Sequence, residues 1–206
     1  MTRPLWVLAL TAGLIFCVLP LAAAQTLGPA PGAPQAAPPP PPPPAMARPG
    51  QTGEPFGEEL TLAPKTIILL KGSGNWDTAF ETLVDAFKSL YAFLDKQGIK
   101  RAGPSMTIYT SADDTGFQFQ AAVPIAEAPK DAPTGDMEVG QSPGGRAYKF
   151  LHRGSYDSMD STYEAITNFL DEKRLEAQDL FVEEYETDPV TTGEDKLVIT
   201  VYVPVK

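Results

Sequence analysis

The sequence predicts an α+β domain: a tandem duplication of a strand-helix-strand-strand unit, forming an antiparallel sheet with two helices on one face. Three observations carry that expectation. Hydrophobic periodicity changes from strand-like to helical twice, in the same order. Short fragments recur at a nearly constant offset. The N-terminal quarter has a composition that builds no core, so about 150 of the 206 residues remain for folding, which suits one domain.

The chain opens with a pattern read as a secretory signal peptide over residues 1–24. Arg3 supplies the positive n-region, an apolar stretch runs from Leu5 to about Leu21, and Ala22-Ala23-Ala24 offers a small-residue cleavage site. Phe16 is too bulky for a lipobox before Cys17. Cleavage predicts a periplasmic or secreted protein of bacterial type with no stable membrane insertion, and a mature chain free of cysteine. Retention as an anchor is the alternative. Residues 25–58 read as a disordered Pro/Ala-rich linker, because 12 of the 22 prolines fall between Pro29 and Pro55.

The remainder, residues 59–206, divides into repeat units at about 60–126 and 144–206. In the first, Thr66 to Leu70 reads as a strand and Gly72-Ser73-Gly74 as a loop. Phe80, Leu83, Val84, Phe87, Leu90, Tyr91 and Leu94 mark a helix. Thr78 and Glu81 have the spacing of a capping box, and Gly98 is its expected stop. Met106 to Thr110, and the alternating Phe117-Gln118-Phe119-Gln120, read as two more strands. Ala126 to Gly145 reads as a spacer. Then Arg146–Arg153 predicts a strand, Met159 to Leu170 a helix, and Leu180–Tyr185 and Leu197–Val203 two strands.

The halves match in detail. Phe93-Leu94-Asp95 matches Phe169-Leu170-Asp171, and Tyr109 matches Tyr185, both at an offset of 76. Val123-Pro124-Ile125 matches Val203-Pro204-Val205, and Gly72-Ser73 is aligned with Gly154-Ser155. The ligand position implied by such a pair is the groove between the units.

Composition excludes several functions. A net charge of −10 argues against nucleic acid as a partner. One cysteine and one histidine leave no zinc ribbon, no His-rich metal site and no disulfide framework. No cofactor, metal or catalytic triad is expected; Ser155 and His152 lack a positioned acid. His152, at a strand end, reads as structural rather than as a haem ligand.

The candidate site centres on Glu183. In a strand, Phe181, Glu183 and Tyr185 share one face and Glu184 the other. A carboxylate between aromatic rings is placed to receive a cation, with ring faces adding cation–π attraction. The alternative is a surface acid on an edge strand. Tyr185 and Tyr109, related by the repeat, would line two sides of one groove. Thr107 stands where the first repeat would have Glu183, so the site carries one acid. Trp76 lies in the strand-to-helix connection, where sites often have borders. Tyr156, Tyr163 and Tyr202 are weaker candidates, Tyr163 having the spacing of a core residue.

Phe150-Leu151-His152-Arg153-Gly154-Ser155-Tyr156, Val182-Glu183-Glu184-Tyr185 with the following Asp188-Pro189, and the closing Val198 to Lys206 resemble the GyrI-like (gyrase-inhibitor-like) domains. These include effector-binding domains of AraC-type and multidrug-sensing regulators. The resemblance covers about residues 60 to 206. It implies a tandem pair of units, a small and often cationic aromatic ligand in the inter-unit groove, and a ligand-contacting acid at Glu183. Here a signal peptide and proline tract occupy the place of a DNA-binding segment. The expected function is therefore exported small-molecule binding without DNA binding. The alternatives are a small hydrolase of strained or electrophilic compounds using Glu183, and a structural or partner-binding envelope protein, which would show a small filled groove and an exposed Glu183.

Overall fold

The computed structural model describes residues 56–206; the expected signal peptide and nearly all of the expected linker lie outside the described residues. Ten elements follow one another: β1 (Glu58–Leu62), β2 (Thr66–Gly74), α1 (Ala79–Gln97), β3 (Ser105–Asp113), β4 (Gly116–Pro124), β5 (Met137–Gln141), β6 (Gly145–Gly154), α2 (Met159–Lys173), β7 (Phe181–Tyr185) and β8 (Leu197–Pro204). The strands form one antiparallel sheet in the order β1-β6-β8-β7-β3-β4-β2-β5. The expected α+β duplication is present: β2-α1-β3-β4 is answered by β6-α2-β7-β8.

Two strands lie outside the expected units. The presumed spacer from Ala126 to Gly145 holds β5, and β1 precedes the first unit. Each leading strand crosses to the opposite repeat. Strand β1 pairs with β6, Leu60 facing Ala147, and β5 pairs with β2, Val139 facing Ile68. The Gly72-Ser73-Gly74 segment is the end of β2 rather than a loop, and its partners are Phe119, Gln118 and Phe117.

Both helices pack on one face of the sheet. Helix α1 buries Ala79, Leu83, Ala86, Phe87, Leu90 and Leu94, and α2 buries Met159, Ile166 and Leu170. These side chains share one core with Ile68, Phe119, Val123, Phe150, Ile199 and Val203 of the strands. Each large side chain buried this way contributes roughly 1.5–3 kcal/mol. The expected capping box at Thr78 and Glu81 does not form. Instead Asn75 Oδ1 accepts from the Thr78 backbone N–H at 3.1 Å and caps a 3₁₀ turn, Trp76–Thr78, that leads into α1. Ser155 does the same for the turn Tyr156–Ser158 before α2, accepting from Asp157 N at 3.3 Å. The structural match is therefore Gly74-Asn75 with Gly154-Ser155, two residues from the alignment the sequence suggested. Gly98 ends α1 in the left-handed region, at φ 69°.

The two repeats meet where β3 pairs with β7. Ser105 faces Tyr185, Thr107 faces Glu183, and Tyr109 faces Phe181. Tyr109 and Tyr185 are repeat equivalents, so Thr107 and Glu183 are both equivalents and direct partners. The internal two-fold axis passes between them.

Candidate functional site

On the helix-bearing face, above that axis, lies a cavity of about 620 Å³. Its floor is Glu183, Tyr109 and Phe181 from the two central strands. Its walls come from the matching connections and helix starts of both repeats: Trp76 and Ala79 on one side, Tyr156, Met159 and Tyr163 on the other. A β-bulge at Thr110, between the pairs Tyr109–Phe119 and Ser111–Gln118, brings Ala112 onto the face of Tyr109 and hence into the cavity. Asp113, Asp114, Asp157 and Asp160 complete the lining, which includes no lysine or arginine among the described residues.

Glu183 is 1% exposed. Alternation along β7 aims it, with Phe181 and Tyr185, at the helix side. Glu184 points to the other face, where Lys65 Nζ reaches it at 2.6 Å. The Glu183 carboxylate has no cationic partner among the described residues. Tyrosine hydroxyls surround it instead. Tyr163 donates to Oε1 at 2.7 Å. Tyr185 and Tyr109 donate to Oε2 at 2.9 and 3.1 Å. The Tyr156 hydroxyl lies 2.6 Å from that of Tyr109 and 3.5 Å from Oε2. Each phenol has one proton, so with the Tyr109 proton on Glu183, Tyr156 donates to Tyr109. Thr107 adds a longer contact to the Tyr185 hydroxyl at 3.4 Å.

Burial pushes the Glu183 carboxyl above its ordinary value, and the donated hydrogen bonds, led by Tyr163, only partly oppose it. Burial first, and then the Glu183 charge, hold Tyr109, Tyr156, Tyr163 and Tyr185 well above the usual phenol range. A buried acid without a counter-ion is a site whose charged form a cation would stabilise.

The expected residues come together. Glu183, Tyr109, Phe181 and Trp76 line the cavity, and Tyr185 stands behind Glu183, 2% exposed, against Phe87 at a ring separation of 5.3 Å. Trp76 is 46% exposed; it stacks on Phe117 at 4.8 Å and donates to the Asp113 carbonyl at 2.7 Å. Tyr156 and Tyr163, weaker candidates in the sequence, are as close to the carboxylate as the stronger ones. Tyr163 does lie on the helix stripe of a core residue, with its ring edge-on to Phe181 at 5.8 Å, but its hydroxyl ends on Glu183. Tyr202 is remote from the cavity. The small filled groove and exposed Glu183 that would have favoured a structural envelope role are not what the structure shows: the cavity is roomy and Glu183 is buried.

His152 is a buried brace. The Ser155 carbonyl can only accept, so Nε2 carries the proton, at 3.1 Å, and Nδ1 accepts from Thr162 at 2.8 Å. Burial holds this imidazole below its usual range. Among the described residues no group of three or more ligating side chains is placed to hold a metal.

Fold and cavity define a duplicated domain with a roomy cavity beside its internal two-fold. The chain belongs to the GyrI-like small molecule binding domain family, whose model matches residues 58–206. No curated protein sequence matches it. Among solved structures it is similar to EcmrR in a DNA complex, with a TM-score of 0.63 and 12% identity, covering 73% of this chain and 57% of that one. This chain therefore spans little more than half the length of that protein. A hydrolase from Listeria innocua (TM-score 0.53, 16% identity, 73% and 92% covered) is also similar. So is SAV2435 bound to tetraphenylphosphonium (0.52, 16%, 73% and 93%). At these identities the likenesses establish the fold.

Proposed function

We propose that the protein is an exported binding module that holds a cationic or amphipathic aromatic molecule in the inter-repeat cavity and does not bind DNA. The observation that carries this reading is the Glu183 carboxylate, buried at the cavity floor among four tyrosine hydroxyls with no basic side chain beside it among the described residues. A cation entering the cavity supplies the missing counter-charge, and the rings of Tyr109, Tyr156, Phe181 and Trp76 add cation–π and apolar contact. Tyr109, Phe181 and Trp76 would touch the ligand, Glu183 would bind it through its charge from beneath the phenols, and Tyr185 would fix the acid from behind. Export rests on the pattern of residues 1–24, and the absence of DNA binding on the acidic balance of the chain.

Calorimetric titration with tetraphenylphosphonium is the direct test. Saturable one-to-one binding supports the reading. No binding of this cation or of other aromatic cations would reject it. N-terminal sequencing of protein recovered from the periplasm or medium tests export, with Gln25 expected as the first residue.

A further inference from the structure

Glu183 presents charge to the cavity but almost no hydrogen-bonding capacity. A carboxylate has about four acceptor positions. Tyr163 occupies Oε1, Tyr185 and Tyr109 converge on Oε2, and Tyr156 lies within 3.5 Å of the same oxygen. The group is 1% exposed, so no ligand atom reaches it without displacing a phenol. Facing the open space are ring faces and neutral phenol oxygens, one of which, on Tyr109, is already engaged by Tyr156 at 2.6 Å.

A primary ammonium brings three N–H donors. In water all are satisfied. Beneath Trp76 and Tyr156 they would meet at most a phenol oxygen or two, and a buried donor left without a partner is costly. The carboxylates that remain open, such as Asp157 and Asp160, are exposed at the mouth, where an ion pair in water contributes little. A fully alkylated or arylated cation has no donors to satisfy. It loses nothing to the saturated carboxylate and keeps the whole electrostatic and cation–π attraction.

Resting on the cation-binding reading above, we infer that the cavity selects fully substituted cations, quaternary ammonium or phosphonium, over primary ammonium ions of the same carbon skeleton. The four tyrosines act as the specificity filter: they transmit the negative charge of Glu183 and withhold its lone pairs.

The test uses three probes with one aromatic skeleton: biphenylmethylamine, its trimethylammonium derivative and neutral biphenylmethanol. Each is titrated calorimetrically near neutral pH into wild type, Glu183→Gln and Tyr163→Phe. Wild type is expected to bind the trimethylammonium compound at least about tenfold more tightly than the primary amine. Removing the Tyr163 hydroxyl frees Oε1, so Tyr163→Phe is expected to narrow that ratio through a gain by the primary amine. The added methyl groups contribute equally in both proteins, so this change isolates the acceptor. A wild-type ratio of one or less overturns the inference, as does an unchanged ratio in a folded Tyr163→Phe. If that variant does not fold, the wild-type ratio decides alone. Equal, Glu183-dependent binding of both cations overturns the selectivity and leaves the cation site standing. Binding of both cations that is unaffected by Glu183→Gln overturns the cation site itself.

Discussion

Replacing Glu183 by glutamine removes one charge and little else. The side chain keeps its length, its oxygen can accept from Tyr163, and its amide can donate to the phenol oxygens near Oε2. The effect on a bound cation is therefore close to the Coulomb interaction alone. With a layer of hydroxyls between them, the centre of an aromatic cation sits about 6 Å from the carboxylate. At an effective dielectric constant of about 20 the attraction is about 3 kcal/mol. That is about a hundredfold in Kd. Isothermal titration of tetraphenylphosphonium into wild type and Glu183→Gln should show this loss, while neutral triphenylphosphine oxide should bind both proteins alike. A change of less than about threefold for the cation, or an equal loss for the neutral compound, would refute the electrostatic argument.

Further outcomes follow from the same geometry. Cation affinity should rise with pH by up to about tenfold per unit until Glu183 is ionised, then level off, and Glu183→Gln should show no such slope when titrated across the range. Without ligand the sign is opposite: the raised native pKa gives stability that is complete below the ordinary value of 4.5 and is lost as pH rises through the native value, so thermal melts of wild type but not Glu183→Gln should fall over that interval. Phe87→Ala should cost about 3–5 kcal/mol in denaturant unfolding, since it empties a fully buried site behind Tyr185. Gly116→Ala should cost about 1–3 kcal/mol in the same assay, because a Cβ there would lie 2.3 Å from the Gly74 carbonyl oxygen and the two strands would have to part.

Much of this arrangement can be read without coordinates. Period-two and period-3.6 patterns place β2, α1, β3, β4 and their counterparts, because each of these elements buries one face and so writes its period into the chain. The strands that escape reading are β1 and β5. Both are five-residue edge strands with mostly exposed side chains, and their existence depends on partners far away in sequence, as Leu60 on Ala147 and Val139 on Ile68. The face shared by Phe181, Glu183 and Tyr185 follows from alternation alone. That Tyr156 and Tyr163 join them does not, since it depends on how α2 and its leading 3₁₀ turn sit over β7. Tyr163 shows the limit well. Helical spacing reports where its ring goes and is silent about the hydroxyl at the ring's far end.

The pairing of Thr107 with Glu183 has a consequence for how such a site can arise. In a symmetric dimer of single repeats, whatever stands at one of these positions must stand at the other. A glutamate there would face its own copy across the axis, and two unshielded carboxylates in one buried place would repel each other. A threonine at both would leave no charge for a ligand to find. Joining the repeats in one chain lets the two positions carry different residues, so a single anion can occupy the centre of an otherwise two-fold scaffold, with hydroxyls contributed from both halves. Covalent linkage thus places one unshared carboxylate where a symmetric assembly would have two or none.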